Sequence, residues 1–470
     1  MSMFDFGFDD YEDSAYESHV RELVSAYEDD PDSYFDSSAL EDIATFYFER
    51  GKLEQALSVI DHLLQLHSYT SDAWMRRGIL LNNLGRHEEA LEAYEEALSL
   101  NPVDTETLIN KGITLDSLEQ ADEALECYAQ ALSINPLHSE AMFNRGITLE
   151  RDDQLEEAVH AFEACAEIDP EHPEVWYELG YCYDRLNQDE RSVACYDEHL
   201  NVDPYSQDAW YNRGIVLNRM GRFEDAVSSY DMAITIQDDF ASAYYNQGNA
   251  LANLGALDDA IESYMRVLEL EGPDTATFYN IALAYEEQEA FDKALEHYGR
   301  ALDVEPSYPE AWYGLGSCYD AYGKYNSAIE CFERAIEIDA TSPKFWRAKA
   351  DVAYKAGQVN AALEAYRQAV DLDGTNEHAW VGYAETLFES QRPEAALEAY
   401  RQALALAPDS AGTYFRQAKA LLALGRADES IRSLKTAFRL DPATKEEFRF
   451  AYPDLYHNDR VRQMLGLDRH

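Results

Sequence analysis

The sequence is short of lysine, has no long apolar run and carries no phosphate or metal motif. Only 10 of its 470 residues are Lys, against 27 Arg, and these 37 cations face 91 carboxylates for a formal net charge of −54. A field of that sign repels nucleic acid and anionic lipid, so neither is an expected partner. No stretch reaches the roughly 18 uninterrupted apolar residues of a membrane span, and the opening MSMFDFGFDDYEDS lacks the basic start and apolar core of a signal peptide. The expected compartment is the cytoplasm. Cysteine is sparse too: Cys127, Cys165, Cys182, Cys195, Cys318 and Cys331 show no Cys-x-x-Cys spacing and no zinc-type histidine partner, and read as small core residues. There is no Gly-rich phosphate loop and no His-Glu-x-x-His, and the twelve histidines are scattered singly. Carboxylate pairs abound, but composition alone supplies them. No active site, no cofactor and no metal site are therefore expected.

The charge is unevenly placed. Residues 343–470 hold 18 basic and 18 acidic residues, so the first 342 carry the whole −54, and the first 36 have 12 acidic residues against Arg21. Excess carboxylate with scarce lysine suits a chain working in concentrated salt. That reading expects the fold to loosen below roughly 0.5 M salt, as screening of carboxylate repulsion is lost. The competing reading is a negative surface that recruits basic partners.

What the chain does have is a period. WYNRG at 210–214 is echoed by MFNRG at 142–146, LINKG at 108–112, YYNQG at 244–248 and FYNIA at 278–282, all at multiples of 34. With WYNRG at places four to eight, a 34-residue unit runs twelve times from Ser37 to Thr444 without insertion or deletion. All six tryptophans, Trp74, Trp176, Trp210, Trp312, Trp346 and Trp380, fall at the fourth place. The eighth is always Gly or Ala, and the twentieth Ala or Ser. Inside a unit the period is helical: Trp210, Gly214 and Leu217 share one face, and Phe223, Ala226, Tyr230 and Ala233 another. Gly at the fifteenth place in seven units ends the first helix, and Pro at the thirty-second in seven ends the second. Each unit is a helical hairpin.

Trp-x-x-x-Gly-x-x-Leu followed by Ala, an aromatic, Ala and Pro at fixed offsets resembles the tetratricopeptide repeat (TPR), over 408 of the 470 residues. The resemblance implies an all-α, right-handed superhelical solenoid of stacked antiparallel hairpins, whose first helices line a concave groove. The expected organisation is an acidic arm with a capping helix over residues 1–36, twelve repeats over 37–444 and capping helices over 445–470. The first sixteen residues, with Phe4, Phe6 and Phe8, are expected to stay mobile, and Pro453 to split two short helical pieces. Long TPR arrays are also found fused to catalytic domains, as in the O-linked N-acetylglucosamine transferases, but with flanks of 36 and 26 residues none is expected here.

Function is expected in the groove, which the family forms from places 2, 5, 6, 9, 12 and 13. The sixth place carries Asn110, Asn144, Asn212, Asn246 and Asn280, interrupted by Glu178 and followed by Gly314, Ala348, Gly382 and Arg416. Asn costs several tenths of a kcal/mol against Ala in a helix, so its repetition calls for a reason. A row of carboxamides offers donors and acceptors to the main chain of an extended peptide, as the asparagine ladder of those transferases does. The same letters are also the family's usual choice. The fifth place adds Tyr177, Tyr211, Tyr245, Tyr279 and Tyr313, large rigid rings with polar tips, each expected to spend about half its surface packing on its neighbours. Arg213 is expected only to pair with a carboxylate. A second candidate, for an acidic ligand, is the cation group Lys344, Arg347, Lys355, Arg416 and Lys419. It departs from the family's carboxylate clamp, since no unit has Lys at the fifth place with Asn at the ninth. The leading expectation is a non-catalytic scaffold that binds protein or peptide partners. The alternative is self-association, with the acidic front of one copy docking on the neutral to basic rear of another.

Overall fold

The computed structural model describes residues 13–31 and 33–467, with side chains from residue 17. Among these the secondary structure is helical throughout, with no strand. The expectation of mobility for the N-terminal arm falls, for residues 1–12, outside the described residues. From Asp13 the chain is already helical: Asp13–Asp29 buries Val20 and Val24 with Leu40 and Ile43 of the first hairpin, and the Tyr47 hydroxyl donates to Glu28 at 2.9 Å.

Twelve antiparallel hairpins follow. Their first helices span places 1–13 of the 34-residue unit and their second helices places 17–30, except Val175–Arg185, which starts late, and Leu257–Glu271, one residue longer. The chain divides into two bodies, residues 1–238 and 239–470, each with six hairpins. Within each body every helix packs on the next, so a second helix is clasped between its own first helix and that of the following unit. No hairpin could bury its apolar stripe alone. The C-terminal body closes with three short helices, Thr444–Ala451, Pro453–Tyr456 and Asp459–Leu465, one more than the two pieces read from the sequence. Phe448 and Leu465 are buried against Leu434 and Phe438. All six cysteines are buried free thiols, and burial pushes Cys165, Cys182, Cys195 and Cys318 up to about 12, so they stay protonated and inert.

The turn between the helices needs a positive φ in every unit. Seven units meet it with Gly, at φ of 68° to 75°, and five with Glu119, Asp153, Asn187, Glu289 and Gln391, at φ of 55° to 63°. A side chain in this left-handed region costs about 1 kcal/mol, partly offset by the greater unfolded-state freedom of Gly. Replacing Glu119 and Glu289 together by Gly should therefore raise stability by about 1 kcal/mol in denaturant melts; a fall in the midpoint would contradict this account.

The six tryptophans share one task. Each indole Nε1 donates to the backbone carbonyl six residues earlier, in the loop arriving from the preceding unit: Trp74 to Ser68 (3.0 Å), Trp176 to Pro170 (2.8 Å), Trp210 to Pro204 (3.0 Å), Trp312 to Pro306 (3.0 Å), Trp346 to Ala340 (2.9 Å) and Trp380 to Gly374 (2.9 Å). A ring that fills the junction and also satisfies a loop carbonyl explains why indole recurs where Leu, Met, Phe or Tyr stands in the other units.

The eighth place is small because a ring lies on it. In units two to seven and nine, apart from unit eight's Ala282, Gly meets the aromatic at place 24 of its own hairpin: a Cβ on Gly214 would stand 2.5 Å from the Tyr230 ring, and one on Gly146 2.5 Å from Phe162. In the units whose eighth place is Ala282 or Ala350, the place-24 ring lies against the sixth place of the next unit. Tyr298 then covers Gly314 and Tyr366 covers Gly382, leaving 2.2 Å and 2.5 Å for a Cβ at those sixth places. Gly314 and Gly382, which follow the asparagine row at the sixth place, thus have a packing cause.

Candidate functional site

The ten candidate groove residues, Asn110, Asn144, Asn212, Asn246, Asn280 and Tyr177, Tyr211, Tyr245, Tyr279, Tyr313, are all half-buried on first helices. Each tyrosine ring leans on the place-24 ring of its own hairpin. Centroid distances are 5.9 Å for Tyr177–Tyr196, 6.1 Å for Tyr211–Tyr230, 5.9 Å for Tyr245–Tyr264, 5.8 Å for Tyr279–Tyr298 and 5.6 Å for Tyr313–Phe332. Burial pushes the Tyr177 and Tyr279 hydroxyls up to about 12, so they act as neutral donors and acceptors.

The asparagines divide by what precedes them. Asn212 Nδ2 donates to the Tyr177 hydroxyl and Asn280 Nδ2 to the Tyr245 hydroxyl, both at 3.0 Å and both across 35 residues. Asn110 and Asn144 follow units with Met75 and Ile109 at the fifth place, which offer no hydroxyl. Their amides turn back on their own helix, to the carbonyls of Glu106 (2.9 Å) and Glu140 (2.8 Å). The Tyr–Asn bond is thus a latch between neighbouring units, which sequence reasoning missed; a search for polar pairs 35 residues apart would have found it.

A second set of latches runs at the same offset, from the twelfth place to the thirteenth of the next unit. Arg151 reaches Asp116 at 2.5 Å, Arg219 reaches Asp184 at 2.5 Å, Lys355 reaches Asp320 at 2.6 Å, and the Tyr354 hydroxyl donates to Glu389 at 2.5 Å. A third set ties the seventh place to the second helix before it: Arg77–Asp61 (2.8 Å), Lys111–Glu95 (3.2 Å), Arg213–Asp197 (2.7 Å) and Lys349–Glu333 (2.8 Å). Arg213 is, as expected, a carboxylate partner.

One latch is broken. Glu150 holds the twelfth place, but Arg185, its partner by position, bonds Asp153 at 2.7 Å and the Tyr181 hydroxyl at 3.2 Å instead. Beside Glu150 stands Glu178, at the sixth place where its neighbours have Asn. Burial first, and then the adjacent Glu150 carboxyl, push Glu178 up to about 8; burial also raises Glu150. Two carboxylates cannot hydrogen-bond, whereas a proton on Glu178 lets it donate to Glu150, whose Oε2 is otherwise buried without a partner.

Tetratricopeptide repeat models match residues 149–214, 285–352 and 387–449, residues 71–104, 208–240 and 241–272, and residues 109–173 and 347–411. The chain belongs to the tetratricopeptide repeat family. Similar solved structures include YrrB, a TPR protein with an unusual peptide-binding site, at 24% identity over 40% of this chain and 96% of that one, with a TM-score of 0.38. MamA from Desulfovibrio magneticus RS-1 shares 20% identity over 36% and 96%, with a TM-score of 0.35. The Cut9–Hcn1 complex of the APC/C shares 12% over 92% and 96%, with a TM-score of 0.39. No curated protein matches the chain.

In this TPR array the five candidate cations for an acidic ligand are mostly engaged within the protein. Lys355 and Arg416 pair with Asp320 and Glu385, and Arg347 lies 3.9 Å from Asp351. Lys344 and Lys419 sit over the rings of Tyr313 and Phe415, at 4.0 Å and 4.7 Å from the centroids. Among the described residues no group of three or more His, Cys, Asp or Glu side chains is placed to hold a metal ion, and no described helix is long and apolar enough to cross a membrane.

Proposed function

We propose that this TPR chain is a non-catalytic scaffold that takes extended peptide segments of partner proteins along its first-helix face. The observation that supports it is the row of half-buried Tyr and Asn side chains at the fifth and sixth places. The latch of Asn212 uses one amide hydrogen and leaves the second hydrogen and the carbonyl oxygen for a ligand's main chain, whereas Asn280 donates to both Tyr245 and Asn249. Side-chain selectivity then falls to the tyrosine walls.

Asn110 and Asn144 give the cleanest test, because their amides bond only their own helix. Asn110→Ala with Asn144→Ala should leave the melting midpoint unchanged or slightly raised, since Ala is the better helix former. Affinity for peptides selected on the full chain from a random display library should fall roughly tenfold, the loss of one to two hydrogen bonds. Unchanged affinity in a fully folded double variant would remove the asparagine row from the binding site.

A further inference from the structure

Away from that face, the loops that join one unit to the next carry a row of their own. In the N-terminal body the thirty-third place holds Tyr69, Val103, Leu137 and Tyr205, with relative exposures of 88%, 65%, 72% and 80%; Glu171 is the one polar member. In the C-terminal body the same place holds Asp239, Pro273, Ser307, Thr341, Thr375, Asp409 and Ala443, none of them a large apolar side chain. Loops of one repeated unit present the same place on the same edge, so the four apolar residues form a line. Exposed apolar side chains are ordinary singly, but a periodic series confined to one body is not accounted for by the repeat itself.

The edge is also of one sign. The segments 67–72, 101–106, 135–140, 169–174 and 203–208, which run from each loop to the start of the next first helix, contain no Lys or Arg and nine Asp or Glu. Asp72, Glu106 and Glu140 are met by Arg76, His138 and His172, while Glu171, Glu174, Asp203 and Asp208 remain exposed. First helices of successive units are in contact, which sets neighbouring loops about 8–10 Å apart. Seven residues of an α-helix rise about 10.5 Å, so a helix with an apolar residue at every seventh position matches the spacing of Tyr69, Val103 and Leu137.

From this geometry we infer that the loop edge of the N-terminal repeats docks a cationic amphipathic helix of a partner protein, its apolar residues seated on Tyr69, Val103, Leu137 and Tyr205 and its Lys or Arg residues against the flanking carboxylates. Its apolar residues lie in the loops, outside the first-helix row of Tyr and Asn, while Glu174 and Asp208 stand at the second place of their units, at the margin of that face. The site gives the acidic half of the molecule a partner chemistry: apolar contact supplies the register, and charge supplies the attraction and the on-rate.

The test uses the full chain and an Ala/Lys helical peptide of about 21 residues with Leu at every seventh position. A scrambled peptide of the same composition and a Pro-interrupted version serve as controls. The wild-type protein should bind the heptad peptide at least tenfold more tightly than either control in moderate salt. The variant Tyr69→Ser, Val103→Ser, Leu137→Ser, Tyr205→Ser alters only exposed loop positions, and circular dichroism should show its helicity intact. Its affinity for the heptad peptide should drop to that for the scrambled one. Equal binding of heptad and scrambled peptides, tight binding of the Pro-interrupted peptide, or a folded variant that binds like wild type would each overturn the inference.

Discussion

Gly314→Asn should cost the C-terminal body about 2–3 kcal/mol of stability, and Ala282→Gly in the same chain should recover more than half of it. The new side chain would begin in space held by Tyr298, whose ring lies 2.2 Å from where a Cβ would be. Overpacking a filled junction costs about that much. The ring is there because Ala282 keeps it off the eighth place. Gly at 282 restores the seat used in the other units, as Gly316 seats Phe332. Alone, Ala282→Gly should be mildly destabilising, by about 1 kcal/mol, from helix propensity. The signature is therefore a coupling of opposite sign to both single effects, read from guanidinium melts of the four-member cycle. Simple additivity would show that the position of Tyr298 is not set by the eighth place.

The second large effect is pH-dependent. Glu178→Gln should stabilise the N-terminal body by about 4 kcal/mol more at pH 9 than at pH 5, where its effect is small. The folded carboxyl titrates near 8 against an ordinary 4.5, because burial and the Glu150 carboxyl oppose its charge. Below 4.5 it is protonated in both folded and unfolded chains and pH has no leverage. Between 4.5 and 8 the folded chain keeps a proton that the unfolded chain has lost, so wild-type stability falls as pH rises; above 8 the full penalty stands. Gln keeps the donor and removes the titration, so the advantage of the variant must grow across that window. Melting curves at pH 5, 7 and 9 decide it, and a difference that does not change with pH would show that Glu178 is not held protonated.

The fold was legible almost to the residue because one period governs it. Placing Trp210 and Gly214 at the fourth and eighth places fixes the helix starts at Ser37, Ser71, Thr105 and onward, and Gly at the fifteenth fixes the turns. The period also hid things. Glu119, Asp153, Asn187, Glu289 and Gln391 adopt the same left-handed conformation as the glycines they replace, because the clasp of two packed helices overrides local preference. Gly314 and Gly382 looked like gaps in a binding row, yet they answer to Ala282 and Ala350, a unit earlier in the chain. The row of asparagines was visible in the letters, but its division was not: whether Asn144 or Asn212 bonds inward or across depends on Ile109 or Tyr177, 35 residues back. Side-chain partners one unit plus one residue apart leave no mark on a 34-residue alignment of the chain with itself.

The uniform tryptophan bond also makes the molecule its own gauge. Indoles stand at the junctions of units one and two, four and five, five and six, eight and nine, nine and ten, and ten and eleven, and each loses its carbonyl partner when its loop comes away. Replacing five of the six by Phe would leave one emitter at one chosen junction. The order in which the array loosens from its ends or its middle could then be followed by fluorescence, junction by junction, without an added label.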